Sequence, residues 1–226
     1  MRISRTFVAI ATTIAASNAM ANLLANGSFE VNSVVTGGGA DDRPDLWSNF
    51  TDVASGSPDV WDNSGSDGLA PGSFGFFPHI TAFHGTNFVS IAANPDLYSE
   101  GIESSPVALT GGKTYRVSIA MAYDSHNAAP WTNPAMLRVR LRKGTDPSTI
   151  LTDFAANTVD ETWEMRSFDF SVSDSGSYSV IFSAEDYSTS NFFVIDHAGL
   201  VEVVPEPASM AVLAVASLSL MKRRRN

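Results

Sequence analysis

Residues 114–123 read TYRVSIAMAY. In an extended chain Tyr115, Val117, Ile119, Met121 and Tyr123 fall on one face, and Arg116, Ser118, Ala120 and Ala122 on the other. A period of two is the mark of a strand with one buried face. The same alternation returns three times downstream. Leu137, Val139 and Leu141 oppose Arg138, Arg140 and Arg142; Phe168, Phe170 and Val172 oppose Ser167, Asp169 and Ser171; and Tyr178, Val180 and Phe182 mark a further strand.

Turn chemistry separates these runs: Thr110-Gly111-Gly112, Lys143-Gly144-Thr145-Asp146-Pro147 and Asp174-Ser175-Gly176. A last run, NFFVIDHAGLVEV at 191–203, is less regular, and Gly199 marks a candidate bulge. No internal stretch has a helical period with caps. Short strands at this spacing predict an all-β sandwich or barrel. The segment from Val34 to Pro78 differs, being rich in Gly, Ser, Asp and Pro with Trp47, Trp61, Phe74, Phe76 and Phe77 among them. A loop of that length is functional or partly disordered, and its aromatics favour order.

The two ends have a different character. Arg2 and Arg5, an apolar run from Phe7 to Ala16, and Ala19-Met20-Ala21 form the anatomy of a secretory signal peptide over residues 1–21. At the other end, Pro205-Glu206-Pro207 precedes an uncharged stretch from Ala208 to Met221 and then Lys222, Arg223, Arg224 and Arg225. As a helix, that stretch reaches only about 21 Å, short of a hydrocarbon core of about 30 Å. It can pause in a bilayer with its basic end on the cytoplasmic side, and makes a poor permanent anchor.

Six of the 14 basic residues lie in these two ends, whereas all 24 acidic residues lie between Asn22 and Pro207. The body is therefore more acidic than the net −10 of the whole chain. Such a charge provides no basic footprint for nucleic acid, and leaves room for divalent cations. The chain has no cysteine, which excludes disulfides, thiolate metal sites and cysteine nucleophiles. A domain of this length can be held by its core alone.

Pro205-Glu206-Pro207, the short apolar helix and the terminal arginines together resemble the PEP-CTERM sorting signal of Gram-negative bacteria. That resemblance covers residues 205–226. It implies recognition by a membrane-embedded exosortase, a transient stage in the inner membrane, and final location at the cell surface or in an extracellular matrix. A second resemblance spans residues 22–204. NLLANGSFE, LTGGKTYRVSIAMAY, the strand from Trp163 to Phe170 and FFVIDHAGLVEV are together similar to galactose-binding-like jelly rolls, of which carbohydrate-binding modules are one branch. A jelly roll hosts binding, adhesion and enzymatic functions alike.

The jelly-roll resemblance implies a structural calcium ion joining the first and last strands. The matching residues are Glu30 and Asp196, with oxygens from around Asn26 and Gly27; His197 stands where the family usually has a second acidic or polar residue. Oxygen ligands of this kind suit calcium. The plain alternative is that both acids are solvated or hydrogen-bonded strand ends. DNSGSDG at 62–68 fails the calcium-loop template and reads as a polar turn.

A glycan site needs an aromatic ring against the sugar's apolar face and polar groups for its hydroxyls. Candidates are Trp61, Tyr98, Tyr123, His126 and Trp131, with Trp47 beside them; each can equally plug the core. Trp163, at a strand start, reads as core. No G-x-S-x-G or H-E-x-x-H occurs, and His79, His84, His126 and His197 lack the i, i+4 spacing of a helical zinc site. The expectation is an exported, non-catalytic carbohydrate-binding protein associated with extracellular polysaccharide and stabilised by calcium. The alternatives are a structural surface or biofilm protein that binds other proteins or itself, and a glycoside hydrolase.

Overall fold

The computed structural model describes residues 21–33, 43–50, 58–62, 80–94, 98–123, 136–155, 162–184 and 191–204. All but the last residue of the expected signal peptide and the sorting segment from Pro205 to Arg225 lie outside them, as do nearly all of DNSGSDG and residues His126 and Trp131.

Among the described residues there are twelve strands: β1 (Trp47–Asn49), β2 (Asp59–Asp62), β3 (Asn87–Asn94), β4 (Tyr98–Ser99), β5 (Gly101–Ser104), β6 (Val107–Leu109), β7 (Thr114–Tyr123), β8 (Met136–Lys143), β9 (Thr149–Ala155), β10 (Glu164–Ser171), β11 (Gly176–Ala184) and β12 (Asn191–Glu202). They form two antiparallel sheets. One runs β1-β5-β11-β8-β9, with β6 also on β11; the other runs β10-β7-β12-β3-β2, with β4 on β3. This is an all-β sandwich, one of the two architectures that the alternation predicts, and of the jelly-roll kind that the resemblance implies.

The residues on the predicted inward faces meet between the sheets. Tyr115, Val117, Ile119 and Met121 of β7 share one core with Leu137 and Val139 of β8, Phe170 and Val172 around the end of β10, and Val180 and Phe182 of β11. The opposite face of β8 carries its arginines, and neighbouring strands supply their anions. Arg138 grips Asp153 of β9 through two bonds of 2.7 and 3.0 Å, and Arg142 lies 3.0 Å from Glu103 of β5. Arg140 and Arg142 also stand over the ring of Phe50, at 5.6 and 5.5 Å. Strand β11 departs from strict alternation: Ile181 and Ser183 are as buried as Val180 and Phe182, because β11 lies in the middle of its sheet.

The turns between strands are held by tyrosine tips from inside. The Tyr115 hydroxyl accepts from the Thr110 amide at 2.8 Å, and the Tyr178 hydroxyl donates to the Asp174 carbonyl at 2.8 Å. Within the Gly-rich stretch from Val34 to Pro78, the described parts include β1 and β2, and these place Trp47 and Trp61 indoors.

The last strand contains the feature that organises the candidate site. Its pairing with β7 shifts register between Asp196 and Gly199, the bulge expected at Gly199, and His197 takes a φ of 52° there. Pairing of β12 with β3 ends at Ile195. Beyond that point the N-terminal segment takes over. The Leu23 amide donates to the Leu200 carbonyl at 2.8 Å, and the Ala198 amide to the Gly27 carbonyl at 2.7 Å. The Asn22 side chain donates to the Ala198 carbonyl and accepts from the Leu200 amide, both at 2.9 Å. At Gly27 any Cβ would overlap the Ala198 carbonyl, so only glycine allows this approach.

Phe29 drives the strap home. It is fully buried and meets Trp47 edge-on at 5.3 Å, and Trp47 in turn lies against Phe182 at 6.1 Å. Phe29→Ala should therefore cost about 3–5 kcal/mol of unfolding free energy, measured by urea or guanidinium denaturation. A loss below about 1 kcal/mol would mean that the strap is not part of the cooperative fold.

Candidate functional site

Glu30 leaves the strap just after Phe29, and Asp196 leaves β12 just before the bulge. Both converge on residues 83–87, the approach to β3. Asp196 is 0% exposed. Its Oδ2 accepts the His84 amide at 2.8 Å and its Oδ1 the His197 amide at 2.5 Å, with the Phe83 amide contributing as well. Glu30 Oε1 accepts the Thr86 and Asn87 amides at 3.0 Å each, and Oε2 accepts the Thr86 hydroxyl at 2.9 Å. Gly85 sits between them at φ 74°, where a Cβ would overlap the Glu30 carboxylate. Two acids far apart in sequence thus clasp one turn of backbone.

The clasp is electrostatically uneasy. Burial, above all, pushes Asp196 up to about 6; the backbone amides oppose this, and the charge of Glu30 adds to it. Glu30 Oε1 is filled by its two amides, whereas Oε2, which accepts one hydroxyl, keeps lone-pair capacity, and the three amides on Asp196 leave part of its carboxylate free to accept. Two partly desolvated carboxylates with spare oxygen donors fit a hard divalent cation in chemical type. Asn26, the third expected oxygen source, is committed elsewhere. Its Nδ2 donates to the Val31 and Asp45 carbonyls, both at 2.8 Å, and its Oδ1 accepts the Val31 amide at 3.0 Å. Its own carbonyl accepts from Phe29 N at 3.0 Å and Trp47 Nε1 at 3.1 Å. Asn26 thus shapes the strap: its carbonyl accepts two donors and its Oδ1 one.

Above the clasp lies a patch of rings. Phe83 is 42% exposed, with its ring 6.0 Å from Trp163 and 6.0 Å from His197. His84 and His197 are exposed, and their rings lie 5.1 Å apart. Trp163 is half-buried. Its indole donates to the Thr81 carbonyl at 2.9 Å, and its ring meets Phe88 edge-on at 6.3 Å. Beneath is a second, smaller core of Trp61, Phe88, Ala92, Ala122 and Val194 on the outer face of the β12 sheet, with Ile80 and Ala82 packed on it. The patch is therefore seated on a packed floor.

The residues expected to bind sugar are distributed differently. Trp61 is 6% exposed, and its indole already donates to Ser90 Oγ at 2.8 Å. It packs this floor and presents no open ring face; Trp47, 4% exposed, likewise belongs to the main core. Tyr98 opens β4 opposite Asn94, and Tyr123 closes β7 opposite Phe193. Their side chains lie outside what the structure describes, as do His126 and Trp131. Phe83, His84 and His197 had no place among the expected sugar contacts. The only local hint was an aromatic and a histidine directly before a glycine.

No family model matches this sequence, and no curated protein matches it. Solved structures do. The chain is similar to a Stig cyclase, Fisc from Fischerella sp. TAU in complex with (3Z)-3-(1-methyl-2-pyrrolidinylidene)-3H-indole, at a TM-score of 0.54 and 15% identity, over 82% of this chain and 98% of that one. A structure of a cyclase from Fischerella sp. TAU in complex with 4-(1H-indol-3-yl)butan-2-one gives 0.52 and 13%, over 81% and 97%. The carbohydrate-binding module TmCBM61, in complex with β-1,4-galactotriose, gives 0.49 and 14%, over 81% and 99%. At these identities the likeness is one of fold.

The raised Asp196 carboxyl has a sign that can be checked. Its folded-state value lies above the ordinary 3.8 of an aspartate, so the folded chain holds the proton more tightly. In the presence of a chelator its contribution to stability is full below about pH 4 and lost as pH rises through about 6. Thermal unfolding in EDTA between pH 4 and 7 should show the wild type losing stability relative to Asp196→Asn. Parallel pH profiles would refute the raised value.

Proposed function

We propose that this chain is an exported, non-catalytic carbohydrate-binding protein that holds extracellular polysaccharide through the ring patch around Phe83. The observation that carries the reading is the seating of that patch. An exposed phenyl ring, an indole and two imidazoles are held over a packed apolar floor, with Thr86 and Asn87 of the clasped turn nearby. Rings fixed in this way can cover the apolar face of a sugar at small entropic cost, while imidazole, hydroxyl and amide groups meet its hydroxyls.

Binding is favoured over turnover by the state of the two nearest acids. Both are tied by main-chain amides, and one is fully buried, so neither is presented to a glycosidic bond as acid or nucleophile. Because cyclases share this fold, the site chemistry and not the architecture supports the choice.

Calcium belongs to the same proposal. Glu30 and Asp196 would hold it, and its charge would offset their mutual repulsion, fastening strap, turn and last strand together. The wider setting follows the terminal segments: export under residues 1–21, then sorting through Pro205, Glu206, Pro207, Arg223, Arg224 and Arg225 by an exosortase at the inner membrane, and release to the surface or matrix.

A glycan array probed in calcium and in EDTA tests the binding. Saturable binding to one polysaccharide class is expected, with about tenfold weaker affinity for Phe83→Ala at unchanged fold, equivalent to about 1.4 kcal/mol. No binding by folded protein would point instead to a structural surface role, and release of shortened glycan would make it a hydrolase. For sorting, replacing Pro205-Glu206-Pro207 with alanines should trap the protein in the inner-membrane fraction of an exosortase-bearing host. Unchanged release would remove the sorting assignment.

A further inference from the structure

His84 and His197 lie more than a hundred residues apart in sequence, and a single buried group brings them together. Asp196 accepts the main-chain amides of both, through Oδ2 and Oδ1 respectively. The backbone is specialised at each place. His197 occupies the bulge of β12 at φ 52°, a conformation that non-glycine residues adopt at a cost, and His84 precedes Gly85 at φ 74°. Bulges re-aim side chains, and this one leaves Ala198 buried while His197 is exposed. The outcome is two exposed imidazoles, 5.1 Å between centroids and inclined at 39°, presented side by side from fixed backbone.

We propose that His84 and His197 form a two-imidazole chelate for a borderline transition-metal ion such as Zn²⁺, Ni²⁺ or Cu²⁺. The spacing suits the task. An ion 2.0–2.1 Å from one nitrogen of each ring, at a tetrahedral angle, holds the ring centres about 5 Å apart. The ligand type suits it too, since neutral imidazoles favour zinc, copper and nickel, whereas the carboxylate oxygens of the clasp favour calcium. Among the described residues no group of three histidine or acidic ligands forms. Among the described residues the chelate has these two protein ligands, and water or an incoming donor would complete the coordination. Phe83, 6.0 Å from His197, walls one side. The inference goes beyond the carbohydrate reading and stands whether or not a glycan binds.

The side chains of this pair can be removed without touching the main-chain bonds that hold them. His84→Ala keeps its amide to Asp196, and His197→Asn keeps a residue that tolerates positive φ. Isothermal titration of the exported protein with ZnCl₂, in saturating CaCl₂ so that any oxygen site is filled, should show one ion per chain. Either variant should weaken binding at least tenfold at an unchanged melting temperature in calcium without zinc. Cu²⁺ bound to the wild type should give an electron paramagnetic resonance signal with nitrogen couplings from two imidazoles, reduced in each variant. One ion per two chains, lost in the same variants, supports the pair as a bridge between copies. Zinc binding that survives both replacements, or none by folded wild type, overturns the proposal.

Discussion

Where β3 ends beside β12, the backbone groups of residues 198–200 lose a neighbour on one side, and buried polar groups cannot be left without partners. The N-terminal strap supplies them, and much of the structure near the candidate site depends on that substitution. Gly27 allows the close approach, Asn22 adds side-chain bonds to the main-chain ones, and Phe29 enters the core beneath Trp47. Only with the strap in place does Glu30 reach the turn at Gly85–Asn87. The ring patch is in this sense a remote product of strand termination.

The sandwich was legible because β7, β8, β10 and β11 are long enough to display a period of two, and because their turns use Gly, Asp and Pro where the backbone demands them. Strands β1 to β6 were harder: most span four residues or fewer, too short for alternation to stand out. Composition misled as well. Trp47 and Trp61 sit in Gly- and Asp-rich surroundings that suggest loop, yet each forms part of a strand of three or four residues whose pairing carries it indoors. β11 shows a different limit, since a central strand covered on both faces loses the polar half of the pattern.

The candidate site was legible only in part, for a physical reason. Glu30 and Asp196 were found through resemblance to a jelly roll, because no local pattern connects a residue of the first segment with one of the last. Phe83 with Trp163, and His84 with His197, are juxtaposed by sheet order and by a bulge, neither of which leaves a periodic trace. Asn26 is ambiguous in sequence because an asparagine beside a turn can serve a ligand or its own backbone, and here its side chain bonds Val31 and the Asp45 carbonyl.

The latch made by Asn22 also has a meaning in time. Synthesis delivers the chain from its beginning, so Asn22 appears long before Ala198 and Leu200, the residues that receive it. Contacts between such distant parts of a chain are slow to form, because a large loop must close first. Until the last strand emerges, the strap has nowhere to dock, Phe29 has no completed core, and the two acids remain apart. The domain thus closes from its two ends at once, as the final event of its assembly, and a chain interrupted before β12 lacks the site altogether.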